Sequence, residues 1–487
     1  MKRILVLAAL FLVPLFSVRA QQIASSRLIS MGGVSTAVSS NVDAIGTNPA
    51  NLIATSRGNV VVELAPISLR AGTDFLSLNL YNNYFTGTGQ VDSAGNKIGK
   101  YLTAADKQSI LDAFPGGIGT VLTDVSIRDL GLSVRNNDFA LGFAIDDHVG
   151  ARATVPNSFV MFALDGNAPG SNFSWDNISS KAWWYRSYNA DFAIRLPNPV
   201  IIPKDIANGF SAGIGVKYVT GLAYASAQTN NSYLQTDSAN YAFNVGLGFS
   251  GQRAGILSNA ISKAMKSSVG DTTTNVNPFS PAGSGFGFDL GGTARVLGFI
   301  KVGMSLTDIG AISWTKNTIS TSGDTSFTFN GFSPAETGVP NATSNLDSLN
   351  NAFKNFFKNR DSLSSGFTTP LPTRFNLGAS VNMDEVFPSI PGQLLLAVDY
   401  HQGLNNSLGN STVPEIDLGA EWKPIGVLPI RTGLGFGGAY GFRWALGIGI
   451  DMPFWDIDLG VGTFNDLVAP TSAKNLSVTL SFLKFRF

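Results

Sequence analysis

The feature that most constrains this chain is a strict two-residue alternation. Tyr241, Phe243, Val245, Leu247 and Phe249 alternate with Ala242, Asn244, Gly246, Gly248 and Ser250. In a β-strand successive side chains point to opposite faces, so this run has one wholly apolar face and one that is small and polar. The dyad recurs: Phe139, Leu141, Phe143 and Ile145 against Ala140, Gly142, Ala144 and Asp146; Phe286, Phe288 and Leu290 against Gly287 and Asp289. It returns late in the chain, with Trp444, Leu446, Ile448 and Ile450 against Ala445, Gly447, Gly449 and Asp451, and Trp455, Ile457, Leu459 and Val461 against Asp456, Asp458, Gly460 and Gly462. Each run approaches the ~9–11 residues with which a tilted strand crosses a bilayer.

A soluble sandwich or propeller would turn the same apolar face toward its own core. Rings at strand ends favour the membrane, whose interfaces suit amphipathic aromatics: Trp183, Trp184, Tyr185 and Tyr188 in one place, Trp422 and Trp444 in others. Composition agrees, since only 14% of residues are charged, against ~25% in soluble domains. The 33 basic and 33 acidic residues cancel, which argues against nucleic acid as a partner. The expected fold is all-β, a transmembrane antiparallel β-barrel of about fourteen strands, with sixteen as the alternative, because bacterial barrels favour even numbers.

Lys2 and Arg3 precede an apolar run from Ile4 to Val18, followed by Val18-Arg19-Ala20. This is the order of a secretory signal peptide, expected over residues 1–20 with cleavage after Ala20. The run is short for the ~20 residues of a spanning helix. A barrel so exported belongs in the outer membrane of a Gram-negative cell, with membrane lipid and the barrel-assembly machinery as partners. The sequence contains no cysteine, which removes lipidation at the cleavage point, disulfides and thiolate chemistry.

Three stretches break the strand rhythm. Ala104–Phe114 and Ala254–Met265 read as short helices. Ile309–Pro372 reads as a long polar excursion carrying the amphipathic run Leu346, Leu349, Phe353, Phe356 and Phe357. Such segments belong to extracellular loops or to a lumen insert. At the C-terminus Leu483, Phe485 and Phe487 alternate behind Leu476, Val478, Leu480 and Phe482, which have the opposite parity. One extra residue at Phe482-Leu483, a bulge, accounts for the slip. The terminal pattern resembles the insertion signal of bacterial outer-membrane barrels.

Catalytic motifs do not survive scrutiny. Gly246-Leu247-Gly248-Phe249-Ser250-Gly251 fits the dinucleotide fingerprint, with Asp271 downstream, but a glycine-rich chain yields such matches by chance, and Gly433 to Gly438 gives another with no helix after it. A Ser-His-acid triad would need His148 or His401, and neither has a serine at a diagnostic spacing. Two distant histidines and scattered acids make no metal-ligand set. No enzymatic activity, metal or cofactor is expected.

Ahead of the first strand lie Arg27-Leu28-Ile29-Ser30-Met31-Gly32-Gly33-Val34-Ser35-Thr36-Ala37-Val38 and Asp43-Ala44-Ile45-Gly46-Thr47-Asn48-Pro49-Ala50-Asn51-Leu52. Small residues allow close packing inside a lumen, and Asn48-Pro49 initiates a turn while forbidding simple strand continuation. The order resembles the N-terminal hatch of the FadL-like outer-membrane transporters. The resemblance extends to Pro372-Thr373-Arg374-Phe375-Asn376-Leu377-Gly378-Ala379, Leu395-Leu396-Ala397-Val398-Asp399-Tyr400, Asp417-Leu418-Gly419-Ala420-Glu421-Trp422 and Arg431-Thr432-Gly433-Leu434-Gly435. These look like the closing strands of the wider group, which includes PorV-type barrels of Bacteroidetes. It implies a hatch over residues 21–57, a barrel over 58–487, and gating residues Asn48, Pro49 and Ala50. It further implies uptake of a hydrophobic, fatty-acid-like small molecule. The alternative, also by resemblance, is a PorV-like secretion or surface-assembly accessory that binds exported proteins.

Overall fold

The computed structural model describes residues 25–54, 58–93, 95–96, 98–265, 275–329, 361–438 and 441–487. Residues 1–20, expected to be a signal peptide, and the run Leu346 to Phe357 lie outside the described residues. The chain forms a closed antiparallel barrel of 14 strands. The first strand comes in two pieces, Val60–Leu64 and Ile67–Thr73. It is interrupted where Pro66 has no N–H to give the ladder and Ala65 turns left-handed at φ 50°. Next in the ring come Ile118–Arg135, Phe139–Pro156, Ser179–Arg195, Ala207–Thr229, Gly283–Val296 and Ile300–Trp314. The second half comprises Arg374–Asn382, Gln393–Gly403, Glu415–Lys423, Ile430–Gly437, Arg443–Asp451, Trp455–Val461 and Asn475–Arg486. The last strand pairs back onto the first, Val61 opposite Arg486 and Ile67 opposite Leu480, so the ring leaves no free edge.

The alternation sorts side chains as the sequence predicts. Phe286, Phe288 and Leu290 face outward while Gly287 and Asp289 face in. Phe286 is 60% exposed and Leu141 50%, a surface that acyl chains solvate and water does not. On the last strand Ser481 stands opposite Asp458 but Lys484 opposite Asp456. The extra residue is therefore at Phe482-Leu483, and Lys484 turns inward beyond it. Short turns such as 136–138 and 452–454 close one end, and the other carries the long loops. The helix Ala104–Asp112 starts where its sequence does, with a reciprocal cap: Asp106 N donates to Thr103 Oγ1 at 3.2 Å and Thr103 N to Asp106 Oδ2 at 2.9 Å. The helix Gly255–Met265 also matches expectation.

The structure corrects three readings. Phe243–Ala254 is not a wall strand. It pairs with the far end of Ala207–Thr229 and with Ile319–Phe329 in a sheet beyond the barrel rim. There Val245 packs with Phe173 and Leu234, so this apolar face meets protein rather than lipid. The stretch from Ile309 to Pro372 is not all loop, since its first residues to Trp314 complete a wall strand and Ile319–Phe329 adds another above it. Trp183 and Tyr185 are not girdle residues. They are 2% and 3% exposed and point into the lumen, because in a run of adjacent rings alternation sends half of them inward.

Candidate functional site

The lumen is filled from below by residues 25–54. Ser26–Ser30 makes a short helix, Asn41–Ala44 and Pro49–Ile53 single 3₁₀ turns, and nearly every side chain between them is buried. Asn48 caps the second turn, its Oδ1 accepting from Ala50 N at 3.2 Å, with Pro49 at the first position where a missing N–H costs nothing.

Wall glycines make this packing possible. A Cβ placed on Gly213, Gly291, Gly303, Gly419, Gly433, Gly447 or Gly460 would come within 2.0 to 2.5 Å of a hatch atom. Ordinary carbon contacts need about 3.5–4.0 Å. The small row of the strands thus seats a second layer of chain rather than lining an open channel. Gly433 lies against the Met31 carbonyl carbon and Gly213 against the Pro49-Ala50 peptide.

Buried charges lock the hatch to the wall. Arg27 grips Glu421 with two bonds, Nε to Oε2 at 2.9 Å and Nη2 to Oε1 at 3.1 Å. Its Nη1 donates to Val38 O at 3.0 Å. Glu421 also accepts from Arg431 Nε at 2.6 Å, and Arg431 continues to Asp458. Asp399 Oδ2 accepts from the Ser35 and Thr36 amides, both at 2.7 Å. Lys484 Nζ lies 2.9 Å from Asp43 Oδ2. Burial alone would raise the Asp43 carboxyl, but the Lys484 ammonium, helped by Arg27 and Arg128, holds it below the ordinary carboxylate value. Arg128 bonds Asp146 Oδ1 at 2.8 Å and reaches two hatch carbonyls, Val42 O at 2.5 Å and Ile45 O at 3.3 Å.

The sequence-predicted positions fall as follows. Asn48 Nδ2 donates to Thr36 O at 2.9 Å and more weakly to Gly292 O at 3.4 Å, tying hatch to hatch and hatch to wall. Pro49 lies over Gly213 and Gly291, and Ala50 O accepts from Ser211 Oγ at 3.2 Å. Leu483, Phe485 and Phe487 are away from the hatch at the barrel seam, where Phe487 N donates to Val60 O at 2.8 Å. His401 is buried in the lumen wall and His148 is half-buried there. His401 Nδ1 is 2.7 Å from Asn376 Oδ1, and its Nε2 is 3.6 and 3.5 Å from Asp399 and Asp417. His148 is 3.1 Å from Ser126 Oγ and stacks on Tyr185, without a carboxylate hydrogen bond among the described residues, so no triad forms.

Sequence reading missed the ionic network. Inward acids and bases such as Glu421, Arg431, Arg443 and Asp458 are spread over several strands, with partners on other strands or in the hatch. The one local signal was their parity, which matches that of the glycines. Above the hatch the lumen is plugged again by an apolar cluster in which Trp183, Tyr185, Val219, Tyr224, Trp314 and Leu371 pack together. Between cluster and hatch lies a small polar cavity of about 30 Å³, bounded by Ile45 and Gly46 below and by Tyr185, Val219 and Leu371.

The sequence profile of a family described as "Family of unknown function (DUF5723)" matches residues 59–449. The chain belongs to that family. The match takes in the barrel from its first strand to Gly449 and starts after the hatch residues. No curated protein sequence matches. Solved structures similar to this one include the toluene transporter TbuX of Ralstonia pickettii, 12% identical, covering 97% of this chain and 100% of that one at a TM-score of 0.44. They also include the CymD monoaromatic hydrocarbon channel, 12% identical over 96% of this chain and 99% of that one, TM-score 0.43. A FadL homologue of Pseudomonas aeruginosa is 11% identical over 96% and 97%, TM-score 0.40.

Proposed function

We propose that the chain is an outer-membrane barrel for uptake of hydrophobic small molecules, with residues 25–54 as its gate. The observation that carries this is the pairing of two seals in one lumen. An aromatic cluster suits an apolar solute on the side of the long loops, and a separate hatch below it is held by bonds that can break singly. An apolar solute left in water costs ~25 cal/mol per Å² of its surface, which a sheltered path removes. Asn48, Pro49 and Ala50 act as the gating turn, because they join the hatch's own segments to the wall at Gly213 and Gly291. Residues 1–20 serve as the export signal, and Leu483, Phe485 and Phe487 as the segment read during insertion. No reaction is assigned to the chain.

Cells carrying the protein should take up a radiolabelled alkylbenzene faster than cells lacking it. An Asn48→Ala/Pro49→Ala variant should pass small ions across a planar bilayer where the unaltered barrel does not. Equal uptake with and without the chain defeats the transport reading.

One observation favours the accessory reading, in which the barrel binds exported proteins. Ile319–Phe329 pairs with Phe243–Arg253 along one side but with Asp361–Leu363 over Ile319–Thr321 alone on the other. Among the described residues, the edge beyond Thr321 is open to strand addition. A stable protein partner retained through purification, with no small hydrophobic molecule extracted from the barrel, would decide for it.

A further inference from the structure

The polar cavity between the aromatic cluster and the hatch narrows the chemistry of the solute. It is lined by two cations, Arg128 and Lys217, and two carboxylates, Asp146 and Asp308. These cancel pairwise at close range: Arg128 Nε lies 2.8 Å from Asp146 Oδ1, and Lys217 Nζ lies 2.5 Å from Asp308 Oδ1. Lys217 is met from behind by Asp289 as well, at 3.0 Å. A solute carboxylate entering here finds no cation unspent, and it would bring a buried charge beside acids already in place. An ammonium faces Arg128 and Lys217 themselves.

Neutral hydrogen-bonding capacity, in contrast, remains available. The Tyr185 hydroxyl has no hydrogen-bond partner among the described residues and borders the cavity. Ser187 Oγ accepts from Asn189 Nδ2 at 3.2 Å, which leaves its own proton free to donate. The space, about 30 Å³, holds a small polar group, the size of one or two water molecules. Directly above it the rings of Tyr224, Trp314 and Phe367 lie 5.4 to 6.2 Å apart, centroid to centroid.

We propose that this cavity is a head-group subsite for an uncharged, hydrogen-bonding amphiphile, an alcohol or phenol, whose apolar body parts the rings above. The inference rests on the hydrophobic-solute reading and deepens it: the hydroxyl replaces water at Tyr185 and Ser187, while carboxylates are refused. A site built to bond a hydroxyl also discriminates against the analogue that lacks it, because its polar groups are then left unpaired.

The test is a ligand series on one skeleton, toluene, benzyl alcohol, benzoate and benzylamine, titrated against the full chain in detergent with tryptophan fluorescence as readout. Benzyl alcohol should bind about tenfold or more tighter than the other three, the equivalent of one decade in Kd. Asp308→Asn, where asparagine tolerates the left-handed backbone at φ 57°, should raise benzoate affinity about tenfold by removing a carboxylate from the cavity lining and leaving Lys217 with Asp289 alone. The unaltered protein answers the main question even if that variant does not fold. Benzoate or benzylamine binding as tightly as benzyl alcohol overturns the charge argument. Toluene binding equally well overturns the subsite while leaving hydrophobic uptake standing. If none of the four binds, the uptake reading falls with it.

Discussion

Arg27 of the hatch and Glu421 of the wall face each other as a two-bond fork, 394 residues apart in sequence, and Arg431 shares the same carboxylate from behind. Glu421 is therefore the common anion of a buried cation, Arg431, and a half-buried one, Arg27, which makes the two partners unequal.

Glu421→Gln should cost more than Arg27→Ala. Losing the anion strands Arg27 and leaves Arg431 to Asp458 alone, whereas losing Arg27 leaves Glu421 with Arg431. Breaking a buried pair typically costs about 3–5 kcal/mol. Thermal unfolding in detergent and protease access to the hatch should rank the variants in that order. Arg27→Lys should rescue only partly, because an ammonium does not present the planar fork. Equal effects of all three would show that the hatch is held elsewhere.

The wall glycines can be tested one at a time. Gly433→Ala puts a methyl 2.2 Å from the Met31 carbonyl carbon, so the hatch must move. Gly292→Ala is the control, with its nearest atom at 3.9 Å. The first should raise single-channel conductance and the second should leave it unchanged. If both are silent, the close seat is not what seals the lumen.

Acid should release one anchor. Because the folded Asp43 carboxyl lies below its unfolded value, its pairing with Lys484 stabilises docking fully above about pH 4. That stabilisation is lost as pH falls through the folded value. Protease access to the hatch should be flat from neutral pH down to about 5 and rise below about 4. Asp43→Asn should abolish the acid step while weakening docking at neutral pH. A step that persists in the variant would assign it to another group.

At the seam, replacing Phe485 and Phe487 with serine should lower the fraction of chain that reaches a heat-modifiable, assembled barrel. The same exchange at Phe286, outward on a mid-wall strand, should have a smaller effect. Similar losses at both places would argue for general lipid-face hydrophobicity over a read signal.

The lipid face was legible because it needs only local information: every second residue apolar along one strand. The bulge at Phe482-Leu483 was legible for the same reason, since a parity slip is visible within ten residues. The inward face was not. Asp399 makes sense only beside the amides of Ser35 and Thr36, and Lys484 only beside Asp43. Such partners are invisible to any window of sequence. Trp183 and Tyr185 failed differently, because with rings at consecutive positions the pattern does not say which face is lipid. Tyr241 to Ser250 shows the remaining ambiguity. Alternation reports a two-faced strand, and Phe173 and Leu234 can satisfy its apolar side as well as acyl chains do.

The hatch has an implication for the order of events during assembly. Several of its anchors belong to strands late in the chain, with Arg27 reaching Glu421 and Asp43 reaching Lys484, 441 residues away. Contacts so distant cannot form until the ring itself has joined, since each rests on strands that must first find one another. The segment synthesised before any wall strand is thus the last to settle, and until then it must wait outside a cylinder that is being built without it.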